Sequence, residues 1–186
     1  HDRSISSLKP FLLMTAGHEH IALGATALAT APAPAEHAAM SDTAAIHAML
    51  HRQIIALWSH GDLDVVEAMY AADCVDHMPV PGQASGRAGL RQAVQLFRAA
   101  MPDLALVLDH TLARGTPDDG WGVDVWHLTG THSGAPLFGM PASGRRVAFS
   151  GIDWLRLRGG MVSALWHVED MALMAEQLAM PVPPPP

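Results

Sequence analysis

The chain has little of what several protein classes require. Its 186 residues include one cysteine, Cys74. No intrachain disulfide can form, and no cysteine pair is spaced for a zinc site. That fits a reducing compartment. Lysine and arginine number 11 against 18 acidic residues, for a net charge of −7. The cations are scattered, so no basic patch exists to follow a phosphate backbone, and nucleic acid is not an expected partner. No run of eighteen apolar residues occurs. The best candidate, "FLLMTAGHEHIALGATALATAPAPA", is broken by His18, Glu19 and His20, so no membrane-spanning helix and no membrane partner are expected. The chain also lacks a phosphate-cradling loop, a Gly-x-Ser-x-Gly elbow, a dinucleotide fingerprint and any internal repeat.

What is present reads as globular: 49% of residues are apolar and 16% charged. The length suits one domain with trimmings. Residues 1–40 are set apart from the fold, because the chain opens on His1 and either Met14 or Met40 would serve as a start. Residues 21–40, rich in Ala and Pro, read as an irregular leader. A cytoplasmic location is expected. Export is the alternative if residues 1–30 are a truncated signal, since small residues such as Ala29, Thr30 and Ala31 follow Lys9, although the HEH triplet argues against it. Residues 41–181 form the expected domain, and residues 182–186 a polyproline-like tail.

Within the domain the hydrophobic period changes once. From Asp42, a suitable N-cap, Ile46, Met49, Leu50, Ile54, Leu57 and Trp58 recur at helical spacing until Gly61. "DLDVVEAMY" is a second short helix. "GRAGLRQAVQLFRAAM" is a third, with Leu90, Val94, Phe97 and Met101 inward and Pro102 as its stop. Beyond Pro102 the period is two. "DLALVLDHTLARG", "GWGVDVWHLTGTH", "RRVAFSGIDWLRLRGG" and "MVSALWHV" read as strands, separated by Pro117-Asp118-Asp119-Gly120, Ser143-Gly144 and the tight Gly159-Gly160 hairpin. Helices followed by strands predict an α+β fold: helices packed on one face of a strongly curved antiparallel sheet.

A bent sheet closed by helices leaves a cavity between its layers, and such pockets are mostly apolar with a few polar groups. Trp126, Phe138, Met140, Trp154 and Trp166 from the strand half, with Trp58 and Tyr70 from the helices, are the expected substrate-binding residues. For any single one of them, core packing is the simpler explanation. The titratable groups are Asp73, Asp76 and His77 in the helix half and Asp109, His110, Asp124, His127, His132, Asp153, His167, Glu169 and Asp170 in the strand half, and most of them belong at the surface. If the last strand presents Trp166 and Val168 to the cavity, period two brings Asp170 inward, and a desolvated carboxyl there would serve as a general acid or base. The alternative is that Asp170 caps the short helix "MALMAEQLAM". Spacing alone leaves both open. His47 and His51 stand at i and i+4, a metal-compatible spacing, but no third ligand is near in sequence and no metal is expected.

In series, "LWSHGDLDVVEAMYAADCVDHMPVPG", "GRAGL", "MPDLAL", "GTHSGAPLFGMPASGRRV", "GIDWLRLRGG" and "LWHVEDMALMAEQL" resemble the SnoaL-like polyketide cyclase (ester cyclase) family of the nuclear transport factor 2-like superfamily, over roughly residues 45–180. The resemblance implies a cone-shaped α+β barrel, an apolar pocket, no cofactor, and a homodimer or homotetramer joined through the outer face of the sheet. It implies a cofactor-independent intramolecular aldol ring closure on an apolar, polycyclic or polyketide-like small molecule. The family's acid/base aspartate, four residues after a tryptophan, falls on Asp170, its "DH" on Asp76 and His77 and its "GTH" histidine on His132, and the two histidines would hydrogen-bond a substrate oxygen or tie loops together. The chain departs from the pattern in its last hairpin, at Gly159-Gly160-Met161-Val162, and at Ala164, where many relatives carry a glutamate. A related isomerase, epoxide hydrolase or hydroxylase would use the same pocket, with a second carboxylate or a tyrosine facing the acid. A non-catalytic module binding an apolar ligand is the remaining alternative.

Overall fold

The computed structural model describes residues 34–180, without the side chains of residues 34–37 and 41. The leader before residue 34, including the HEH triplet, and the proline tail lie outside the described residues.

The first helix, α1 (Pro34–Ile54), starts earlier than the Asp42 cap suggests. Proline is tolerated at a first helical position, and the alanine-rich stretch after it has strong helix propensity. So the last part of the expected irregular leader is helical. The helix passes into a π-helical turn (Ile55–Ser59) that turns Leu57 inward. Arg98 holds the end of this turn, donating from Nη1 to the carbonyls of Trp58 at 2.9 Å and Ser59 at 2.8 Å. A short helix, α2 (Asp64–Met69), leads into β1 (Tyr70–Asp76), a strand that helical spacing did not reveal. Helix α3 (Gly86–Ala100) follows, with Leu90, Val94 and Phe97 buried. Then come β2 (Ala105–Gly115), β3 (Asp119–Thr131), β4 (Arg146–Arg158), β5 (Met161–Glu169) and α4 (Met171–Leu178).

The five strands lie in the order β1-β5-β4-β3-β2. Pairing is antiparallel from β2 through β5, but β1 runs parallel to β5, so the sheet is mixed and open at both edges rather than antiparallel and closed. Register shifts on β1, between Leu108 and His110 on β2, and opposite Ser163 on β5 introduce the irregularities that curve such a sheet. The α+β class and the helices over the concave face are as expected.

Two clusters of buried side chains fill the space between layers. One gathers Ile46, Leu50, Leu57 and Val66 against Leu155, Leu157 and Val162. The other gathers Ile54, Phe97 and Met101 against Leu128, Val147, Met174 and Leu178. Helix α1 sits close to the sheet because β3 presents Gly122 beneath Leu50; a Cβ there would lie 2.3 Å from Leu50 Cδ1. No described helix is long and apolar enough to cross a membrane.

Candidate active site

Between the two clusters lies a cavity of about 240 Å³. Apolar walls come from the π-helical turn (Leu57, Trp58), α3 (Leu90, Val94, Phe97) and the sheet (Leu128, Phe149, Leu165), with Met78 to Pro81 from the loop after β1. Its polar lining is small: Tyr70, Asp76, Gln83, Asp153, His167 and Glu169.

Three of them, Asp76, Asp153 and His167, belong to one transverse row. Ladder partners point to the same face of a sheet. Thr111 on β2 pairs with Asp124 on β3, Asp124 with Asp153 on β4, and Asp153 with His167 on β5. The row therefore crosses four strands on the concave face, and His167 extends it to Asp76 at the end of β1.

Both ends of the row are tied. Thr111 Oγ1 donates to Asp124 Oδ1 at 2.8 Å. His167 Nε2 lies 3.1 Å from Asp76 Oδ1, and its Nδ1 is hydrogen-bonded to Glu169 Oε1. Asp76 also accepts the Met78 N–H at 2.9 Å and the Gln83 amide at 2.8 Å, which anchors the loop over the cavity mouth. Burial opposes charge on the His167 imidazole, but the Asp76 and Glu169 carboxylates outweigh it and lift its pKa to about 10. Burial also opposes charge on Asp76, yet His167, the Met78 N–H and Gln83 together hold its carboxyl below the usual range.

The middle of the row is untied. Asp153 is half-buried and lines the cavity. Burial pushes its carboxyl up to about 7, against the pull of the Trp126 N–H and the His167 charge. The Trp126 indole is near enough to favour the ionised carboxylate, but Nε1 makes no hydrogen bond. Trp126 reaches this place because Gly151 leaves room: a Cβ on Gly151 would lie 2.3 Å from Trp126 Cζ2. Behind Asp153, burial raises Asp124 to about 6, opposed by the Thr111 hydroxyl and by His47 and His51 on α1. Tyr70 accepts a hydrogen bond from Gln53, and burial raises its phenol well above the usual value.

The expected catalytic residues lie elsewhere. Asp170 does not turn inward. It is exposed and caps α4, its Oδ1 accepting the Leu173 N–H at 2.9 Å. The parity behind the inward reading is reversed: Leu165, His167 and Glu169 line the cavity, while Val168 is 67% exposed on the other face. Trp166 joins Trp121 and Trp154 on that outer face. His77 is exposed there too, stacked on Trp166 with ring centroids 4.2 Å apart. His132 is fully buried away from the cavity, its ring nitrogens 3.3 Å from Ser143 Oγ and from the Ala135 carbonyl, where it ties a loop. Of the expected binding residues, Trp58, Tyr70, Trp126 and Phe138 line the cavity, whereas Met140, Trp154 and Trp166 do not. Among the described residues no cluster suits a metal ion.

Strand β4 carries a sequence signal for Asp153. In "VAFSGIDWLRL" the alternate positions Val147, Phe149, Gly151, Leu155 and Leu157 are apolar or small, and Asp153 shares their parity. An acid in the apolar register of a strand is the mark of a buried carboxyl.

The family profile of SnoaL-like polyketide cyclases matches residues 48–178. No curated protein matches the chain. Among solved structures, TsrD from Streptomyces laurentii is 25% identical with a TM-score of 0.65, over 74% of this chain and 97% of that one. A protein described as a polyketide cyclase from Bacillus cereus is 25% identical with a TM-score of 0.61, over 72% and 82%. AclR from Streptomyces galilaeus, described as a hydroxylase, shares the fold at 22% identity and a TM-score of 0.63, over 77% and 90%. The profile spans every element that builds the cavity, from the last turns of α1 to α4, and the solved relatives share the architecture over nearly their full lengths. The chain belongs to the SnoaL-like polyketide cyclase family, with the nuclear transport factor 2-like fold.

Proposed function

We propose that the protein is a cofactor-independent enzyme of the polyketide cyclase type, acting on an apolar carbonyl compound in the cavity, with Asp153 as general acid and base. One observation carries this reading: Asp153 is a carboxyl on the floor of an apolar cavity, with the Trp126 indole N–H beside it, and burial pushes it up to about 7. A base whose pKa matches the working pH is the most effective proton shuttle. The Asp153 carboxylate takes the proton from the carbon alpha to a carbonyl. The resulting enolate attacks a second carbonyl of the same molecule, the new C–C bond forms, and the alkoxide takes the proton back from Asp153. Atoms and charge balance without a co-reactant. Holding the chain folded contributes on the order of 7–11 kcal/mol, the gain of well-oriented intramolecular reactions.

A cavity of about 150 Å³ admits benzene, so about 240 Å³ suits a fused two-ring portion of a ligand. Tyr70 and the second carboxylate of Asp124, both beside Asp153, favour a proton-transfer isomerisation as the second reading. A homo-oligomer joined through the outer face is supported by the exposure of Trp154 (52%), Ile152 (49%) and Val168 (67%) there.

The test is proton exchange in D₂O at the alpha carbon of an aromatic β-keto ester, followed by NMR. The wild-type protein accelerates exchange and Asp153→Asn does not. Equal rates in the two proteins would remove Asp153 from the chemistry. Products resolve the readings: a ring closure adds a C–C bond, whereas an isomerisation moves only a proton and a double bond.

A further inference from the structure

The carboxyl groups of Asp124 and Asp153 stand opposite each other on β3 and β4, on the same face of the sheet. Facing partners in an antiparallel pair hold their Cβ atoms about 4.5–5.5 Å apart, a distance at which two ionised carboxylates repel and one keeps its proton. The two acids differ in surroundings. Asp124 is fully buried beneath α1; its Oδ1 accepts the Thr111 hydroxyl at 2.8 Å, and its Oδ2 has no partner. Asp153 lines the cavity, and the Trp126 Nε1–H near it makes no hydrogen bond.

No cation intervenes between them. From α1 the titratable groups facing the pair are His47 and His51, neither within ion-pairing distance of Asp124, and His47 Nε2 is itself buried without a partner. From β5 they are His167 and Glu169, and from β1 Tyr70 and Asp76. The one imidazole beside Asp153 is already engaged by Asp76 and Glu169. Helix α3 and the π-helical turn bring only uncharged side chains to the cavity.

We propose that Asp124 and Asp153 hold one proton between them, which makes Asp124 a positioning residue that sets how readily Asp153 takes and releases its proton. The assignment of a role in turnover rests on the reading of Asp153 as the general base; the coupling of the two carboxyls does not. Asp124 ionises first, because the Thr111 hydroxyl and the two α1 histidines favour its charge. Its negative charge then keeps the proton on Asp153, the acid that meets the ligand. The order agrees with carboxyls raised to about 6 at Asp124 and about 7 at Asp153.

The experiment is a carboxyl ¹³C NMR titration of the full chain, with the Trp126 indole N–H resonance as a second reporter on Asp153. Asp124→Asn lowers the Asp153 midpoint by about half a pH unit or more, roughly threefold in acidity. Asp153→Asn lowers the Asp124 midpoint by the same factor, because coupling between two sites is reciprocal. Thr111→Val shifts the two in opposite directions, raising the Asp124 midpoint and lowering that of Asp153. An Asp153 midpoint unchanged in Asp124→Asn, or an Asp124 midpoint unchanged in Asp153→Asn, overturns the proposal. Should Asp124→Asn fail to fold, Asp153→Asn carries the reciprocal measurement alone. Coupled midpoints together with undiminished proton exchange in Asp153→Asn would uphold the pair and sink the base.

Discussion

Replacing Asp153 with Asn should make the protein more stable and less active, and the stability gain should depend on pH in a way that only a buried neutral carboxyl produces. In the unfolded chain an aspartate ionises near 3.8, whereas in the folded protein Asp153 does so at about 7. Between those values the folded state keeps a proton that the unfolded state has released. By linkage the folded state loses stability as pH rises through that window, and the loss is complete above the folded pKa. About three units correspond to roughly 4 kcal/mol at most. Asn removes this penalty but leaves a buried amide without assured partners, which costs about 1–3 kcal/mol. The net gain above pH 8 is then about 1–3 kcal/mol, or roughly 2–10 °C in Tm for a chain of this size. Below about pH 3, where both states carry the proton, Asn brings no gain. Thermal denaturation of both proteins from pH 4 to 9 gives the difference directly. A difference that is flat with pH, or that falls as pH rises, would refute a carboxyl held neutral by burial.

The opposite sign is expected at His167, whose imidazole is raised to about 10. Its stabilisation is present in full below the unfolded value near 6.5 and fades as pH rises through 10. His167→Gln leaves Asp76 and Glu169 facing each other and destabilises by about 3–5 kcal/mol at pH 7, a deficit that urea titrations should show shrinking above pH 9. Asp170→Ala removes the α4 cap and loses about 1 kcal/mol, while α-proton exchange stays at the wild-type rate; a loss of exchange with intact folding would restore Asp170 to the site. Gly151→Ala drives a methyl group into the Trp126 ring, 2.3 Å from Cζ2, and should destabilise by about 1–3 kcal/mol and weaken ligand quenching of tryptophan fluorescence. Val168→Lys places a charge on the exposed outer face, and sedimentation should show a smaller species than wild type if that face joins copies of the chain.

Much of the fold could be read from the period of the apolar residues, because Leu90, Val94 and Phe97 on α3 and the alternation of β3 and β4 each serve a single buried face. The first strand escaped, since in "YAADCVD" Tyr70 and Cys74 are buried four residues apart, a spacing that suits a helix as well as a strand. The site was harder. On β5 the outer face carries Trp166 and the inner face His167, so hydrophobicity gave the wrong side. Both faces of this sheet bear large apolar groups: Trp121, Trp154 and Trp166 cluster outside, while Trp126 and Phe149 pack inside. A polar side chain can then face inward wherever a partner awaits it, and the partner of His167 is Asp76, far away in sequence. Nothing local announces such a pair. Ser163 adds a second obstacle, because the register shift there breaks the alternation that links Val162 to the rest of the strand.

The row from Thr111 to Asp76 poses a question that stability alone does not answer. At its ends each polar group has a partner, so burial there is compensated. At its centre burial pushes the Asp153 carboxyl up to about 7, so its desolvation is not compensated, and a valine in its place would fill an apolar wall without desolvating a carboxyl. The uncompensated position is also the one the cavity reaches. A ligand bearing a carbonyl, or an acidic C–H beside one, would bring to Asp153 the partner that the protein withholds, and in a low-dielectric cavity that contact is stronger than its equivalent in water. The tied ends keep the centre in place while it waits: Thr111 fixes Asp124 behind it, and Asp76 and Glu169 fix the imidazolium beside it. If this division holds, loosening an end should lower the rate of proton exchange with little change in ligand affinity, whereas removing the centre should abolish exchange and leave the apolar part of the binding intact.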